Sequence, residues 1–222
     1  MIAAGLDDPK IAATLDRLYE KARGDRWVFA RALPQLAFAF FTGRRVSEVM
    51  PGLLSHAYLP ITREQGEMLY LAARAIRART LVEFGTSFGI SSIFLAAAAR
   101  ANGGRFYGTE KEPAKIAAAR ANLGEAGLAE VSDVLAGDAL ETLRTLAGPV
   151  DLVLLDGWKD LYLPVLELLL PKLSPGALVF ADNIFTFKKT LAPYVAHMRD
   201  RRNGFESTTL PIGHGMEMSI CI

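Results

Sequence analysis

Asp156, Asp182 and Asn183 offer three hard oxygen donors, and Lys159 follows the first of them by three residues. A donor set without sulfur or imidazole suits a divalent Mg2+, Ca2+ or Mn2+ rather than zinc. A six-coordinate ion held this way keeps positions open, and two adjacent oxygens of a small molecule plus one water would fill them. A vicinal diol on an aromatic ring fits that vacancy, and the ion would make its hydroxyl more acidic by direct charge stabilisation. Lys159 lies one turn along if the strand end rolls into a helix, so it can point at the same oxygen. From spacing alone, an exposed lysine paired with Asp160 is an equal reading.

These residues need elements to bring them together. Asp156 directly follows the apolar run 152–155, and Asp182 follows 177–181, so both read as residues at the ends of buried parallel strands. That is where open α/β sheets place ligands. Strands are expected at 80–84, 105–109, 131–135, 151–155 and 177–181. Helices are expected at 91–100, 113–126, 139–146, 161–173 and 188–201, the alternation of a doubly wound, mostly parallel sheet. Runs 205–210 and 216–222 have no room for a crossover helix and predict a C-terminal antiparallel hairpin, with one strand reversed at the sheet edge.

Upstream, Asp8 and Pro9 start an amphipathic helix to about Arg23. Thr62 and Gln65 form a capping box for another. Residues 1–61 read as an N-terminal helical appendage and substrate lid, and 62–222 as the main domain. The aromatic stretch around Phe38, Phe40 and Phe41, with the open sheet edge, predicts a homodimer.

A second constellation follows the first strand. Glu83-Phe84-Gly85-Thr86-Ser87-Phe88-Gly89 has the spacing E-x-G-x-x-x-G, a tight strand-to-helix turn that a ligand can approach. It lacks the G-x-G-x-x-G fingerprint of pyrophosphate binding, which favours a nucleotide-like cofactor without phosphates. Glu110, ending the next strand, can accept both hydroxyls of a ribose; the plainer reading is a carboxylate at a helix N-terminus. Asp138, before Ala139, is placed both to cap a helix and to accept from an adenine amine. Trp158 offers either a base platform or core packing.

The chain has 222 residues, 51% of them apolar, and a net charge of +1. That is enough for one buried core and too balanced for a nucleic-acid binder. No run approaches the ~20 apolar residues of a membrane span, and 1–10 lacks the basic start of a signal peptide. With a single cysteine, Cys221, a cytoplasmic protein is expected. His56, His197 and His214 lack metal-ligand spacing and are expected to have no catalytic role.

Together these residues resemble the class I S-adenosylmethionine-dependent methyltransferases over about 62–222. Within that class, Asp156-Gly157-Trp158-Lys159-Asp160-Leu161-Tyr162-Leu163-Pro164 and Ala181-Asp182-Asn183 are similar to the catechol O-methyltransferase and related bacterial small-molecule O-methyltransferases of family 3. The resemblance implies a Rossmann-like methyltransferase fold with seven strands. It implies S-adenosylmethionine at Glu83, Gly85, Thr86, Ser87, Gly89, Ser91, Glu110, Asp138, Ala139, Asp156 and Trp158. It also implies a divalent cation, Mg2+ first, on Asp156, Asp182 and Asn183, Lys159 as general base, and a catechol-like small molecule as acceptor. Two readings compete: a metal-independent methyltransferase for another acceptor, and a noncatalytic S-adenosylmethionine-binding protein whose Asp156 and Asp182 only cap helices.

Overall fold

The computed structural model describes residues 5–24 and 60–222. The expected lid and the dimer contact at Phe38, Phe40 and Phe41 lie outside them. Helix α1 (Pro9–Gly24) begins where Asp8 Oδ1 accepts the Lys10 N–H at 3.0 Å, and it buries Ile11, Leu15 and Leu18 on one stripe. Helix α2 (Arg63–Ala75) starts at the reciprocal capping box: Thr62 Oγ1 accepts the Gln65 N–H, and Gln65 Oε1 accepts the Thr62 N–H.

From there strands and helices alternate: β1 (Thr80–Phe84), α3 (Ile90–Asn102), β2 (Arg105–Glu110), α4 (Pro113–Glu125), β3 (Ser132–Ala136), α5 (Ala139–Thr142) and β4 (Val150–Leu155). They continue as α6 (Tyr162–Leu169), β5 (Leu173–Ala181), α7 (Lys188–Arg199), β6 (Phe205–Leu210) and β7 (Met216–Cys221). The helix expected over 161–173 is broken into 3-10 turns at Lys159–Leu161 and Leu170–Lys172 around α6. Pro171 explains the second break, since it donates no N–H and crowds the preceding turn.

The strands form one seven-stranded sheet in the order β3-β2-β1-β4-β5-β7-β6. All neighbours from β3 to β5 are parallel, while β7 runs antiparallel to both β5 and β6. The reversed strand was expected at the edge; it lies one position in, and β6 is outermost. The inner place has to be covered on both faces, and β7 supplies buried Met216, Glu217 and Ser219, whereas most of β6 remains partly exposed.

Alternate residues of the central strands feed two cores. Leu81, Leu152, Leu154, Leu178 and Phe180 pack with α1, α2, α3 and α4. Val82, Phe84, Val153, Leu155, Val179 and Ala181 pack with α5, α6 and α7. Period-2 side chains that are apolar on both faces make the sheet the middle layer of three. Each fully buried Leu or Phe contributes about 1.5–3 kcal/mol.

Candidate active site

The register levels the strand ends. Phe84 pairs with Leu155, and Leu155 with Ala181, so Gly85, Asp156 and Asp182 each begin a loop at the same height. The ladder runs one residue further, with the Asp156 N–H on Phe84 O at 2.9 Å and the Asp182 N–H on Leu155 O at 3.0 Å. The two carboxylates therefore leave neighbouring strands about 4.8 Å apart. Asn183 takes a left-handed backbone (φ 68°), which asparagine tolerates, and its Nδ2 donates to Asp182 Oδ2 at 3.0 Å.

Lys159 does not pair with Asp160. Its Nζ donates to Asp156 Oδ1 at 3.2 Å and to the Tyr162 hydroxyl at 2.9 Å, and it lies over the Phe187 ring at 5.8 Å. The Tyr162 hydroxyl in turn donates to Asp182 O at 3.2 Å. Tyr162 is fully buried and held edge-on by Phe84 and Tyr194; burial pushes its phenol well above the usual range. The lysine thus holds one carboxylate-bearing strand end directly and the other through this tyrosine. The motif contained it, but only its three-residue step from Lys159 hinted at the contact.

Burial raises both carboxyls. It pushes Asp156 up to about 7 against the pull of Lys159, with the Asp182 charge pushing the same way. Asp182 rises by burial, opposed by the Asn183 N–H, Gln65, Lys159 and the imidazole of His214. Gln65 Nε2 donates to Asp182 Oδ1 at 2.7 Å, a contact that the sequence did not reveal. Among the described residues no group of three or more His, Cys, Asp or Glu side chains gathers as a metal cluster; the set here is two carboxylates and an amide. Two carboxylates withdrawn from water beside one ammonium are short of positive charge, so the donor chemistry fits a divalent cation.

The cofactor side is built on the turn after β1. Gly85 (φ 99°) touches the second loop directly: a Cβ there would come within 2.6 Å of the Gly157 N and Cα, and one on Gly157 would come within 2.5 Å of the Phe84 ring. Neither site admits a side chain without displacement. A cleft beside this contact is lined by Pro60, Ile61, Thr86, Ser87, Ser91 and Asp156. Gly89 precedes α3, whose first turn carries Ser91 and Ser92.

Glu83 is fully buried, with Ser92 Oγ donating to its Oε2. Its Oε1, and Thr86 Oγ1, are buried without a hydrogen-bond partner. Burial pushes the Glu83 carboxyl up to about 7, against the dipoles of the Ser91, Ser92 and Thr86 hydroxyls. Thr86 acts there by proximity only, its Oγ1 lying outside hydrogen-bond geometry. Two orphaned buried polar atoms beside a cleft are what a hydroxyl- and amine-bearing ligand would satisfy.

Glu110 accepts three backbone amides, from Ser87 at 2.8 Å, Lys111 at 2.8 Å and Glu112 at 3.0 Å. It therefore shapes the glycine turn as well as lying beside it; Oε1 already accepts two of these amides, and Oε2, which accepts one, retains acceptor capacity. Asp138 is exposed and caps α5 by accepting the Leu140 N–H at 2.9 Å, with Ala139 buried behind it. Trp158 is 46% exposed, which favours a platform over core packing.

A sheet in this order, with a glycine turn after β1, an acidic residue ending β2 and another just after β4, is that of the Rossmann-like methyltransferase fold. Residues 82–184 match the family model described as a methyltransferase domain. Relatives of known name that the chain matches are O-methyltransferases. It is 39% identical to the catechol O-methyltransferase of Mycobacterium tuberculosis, over 57% of this chain and 57% of that one. It is 33% identical to the catechol O-methyltransferase of Niastella koreensis, over 62% of this chain and 65% of that one. The chain thus spans under two thirds of the length of these relatives. The crystal structure of the O-methyltransferase TomG from Streptomyces achromogenes, in complex with S-adenosylmethionine, superposes with a TM-score of 0.67 at 28% identity, covering 73% of this chain and 82% of that one. Among the described residues no helix is long and apolar enough to cross a membrane.

Proposed function

We propose that the protein transfers a methyl group from S-adenosylmethionine to a hydroxyl of a catechol-like small molecule, with a divalent cation at Asp156, Asp182 and Asn183. The observation that carries this reading is the juxtaposition, at level strand ends, of the Asp156 and Asp182 carboxylates with Lys159, itself oriented by Tyr162. The likeness to two catechol O-methyltransferases supports the acceptor class. When bound, the cation would supply charge stabilisation to the acceptor oxygens and S-adenosylmethionine the methyl group.

The chain's own residues do the rest. Lys159 Nζ acts from its neutral amine form: two N–H groups stay on Asp156 Oδ1 and the Tyr162 hydroxyl, and the lone pair takes the proton from the acceptor hydroxyl. The Tyr162 hydroxyl, whose proton is committed to Asp182 O, keeps the amine in place. Gly85 lets the donor approach the floor of the site. The exposed rings of Phe185 and Phe187, just after the Asp182-Asn183 pair, would wall a planar acceptor, while exposed Trp158 would serve the adenine. Catalysis in this arrangement is positioning and electrostatics.

The test is transfer of labelled methyl to a panel of catechols and monophenols, with and without Mg2+ after EDTA treatment. Mg2+-dependent transfer to catechols is expected. Full activity in EDTA would remove the cation, and methylation of no vicinal diol would remove the acceptor class.

A further inference from the structure

The capping box of α2 has a partner that no helix cap requires. Gln65 is fully buried, and both ends of its amide are committed: Oε1 accepts the Thr62 N–H at 2.9 Å, while Nε2 donates to Asp182 Oδ1 at 2.7 Å. The two ends cannot be exchanged, because the backbone N–H needs an acceptor and the carboxylate needs a donor. The loop before β7 closes on the same amide. A Cβ at Gly213 would come within 2.4 Å of Gln65 Cδ, so the side chain has no space to swing aside.

We propose that Gln65 is a positioning residue of the cation site, fixing the Asp182 carboxylate in the orientation that binds the ion. This rests on the cation reading above. With Oδ1 held by Gln65 and Oδ2 beside the Asn183 amide, rotation of the carboxylate is arrested before any ion arrives. The residue type matters as much as the distance. An arginine or lysine here would hold the carboxylate but cancel the charge that attracts the ion, and a glutamate would repel it. A neutral amide donor orients the group and leaves its charge intact. Partners of this kind behind a ligand typically set metal affinity by about 10–100-fold.

The experiment is calorimetric titration of the full chain with Mn2+ in saturating S-adenosylhomocysteine, alongside thermal melts. Gln65→Met should weaken Mn2+ binding about 10–100-fold while leaving S-adenosylhomocysteine affinity unchanged. Gln65→Asn, shorter by one methylene and still polar, should do the same and serves if the methionine variant does not fold. Thr62→Ala removes the other half of the cap; it should lower the melting temperature without altering Mn2+ affinity. Wild-type affinity in both Gln65 variants, or equal weakening by Thr62→Ala, overturns the proposal. A wild-type protein that takes up no more Mn2+ than Asp156→Ala removes the cation site itself and the proposal with it, an outcome distinct from wild-type uptake that Gln65 does not influence.

Discussion

Replacing Glu83 by glutamine isolates the effect of one buried charge on stability. Glu83 is fully buried, and its carboxyl is raised from 4.5 to about 7, with burial as the largest cause. A carboxyl raised on folding contributes stability that is complete below its unfolded value and is lost as pH climbs through its folded one. The window therefore runs from about 4.5 to about 7, and the ligand-free protein loses this contribution on going from pH 5 to pH 8. At 1.36 kcal/mol per unit the loss is about 3 kcal/mol, or about 6–12 °C in Tm for a domain of this size. Glutamine keeps an acceptor for Ser92 and carries no titrating proton, so Glu83→Gln should melt with a correspondingly flatter pH profile. Asp156 and Asp182 slope in the same direction in both proteins, and the Glu83 charge is only the smallest of the causes raising Asp156, so the difference between the profiles belongs mainly to Glu83. The assay is a set of thermal melts from pH 5 to 8, repeated with S-adenosylhomocysteine, which should flatten the wild-type profile by giving the unpaired Oε1 a donor. Parallel profiles for the two proteins would refute the desolvation argument.

Three further outcomes are expected. Lys159→Met should lower kcat about 10²–10⁴-fold with S-adenosylhomocysteine affinity retained; a smaller kinetic effect would take the proton-transfer role away from this amine. Tyr162→Phe leaves Lys159 and the Asp182 carbonyl each short of a partner, so denaturant unfolding should show a loss of about 1–3 kcal/mol together with a reduced kcat. Gly85→Ala combines a positive φ with a Cβ driven into the Gly157 backbone. It should destabilise by about 1–3 kcal/mol and weaken cofactor binding, and wild-type titrations would show that the two loops separate freely.

The parts of this molecule legible in its sequence are those governed by local pattern. Apolar runs of strand length located β1, β4 and β5, and with them the level at which Asp156 and Asp182 emerge. The capping box at Thr62 was readable because its two partners are three residues apart. What escaped is nonlocal. Gln65 and Asp182 are separated by 117 positions, and nothing near either residue announces the contact. The amides gathered on Glu110 depend on how the turn after β1 folds beside the end of β2. The hairpin was visible as two extended runs, but which of them takes the inner place is decided by burial on both faces, a property of the assembled sheet.

The seam between Gly85 and Gly157 has a consequence for how such a protein can change its chemistry. Main chain meets main chain there, so the spacing of the two loops is set by atoms that no substitution can trim, and under the proposed function so is the separation between methyl donor and acceptor. New acceptors are then reached by exchanging the rim, with Phe185 and Phe187 as the accessible positions, while the floor stays constant. Libraries aimed at altered acceptor scope should vary the rim and leave both glycines alone.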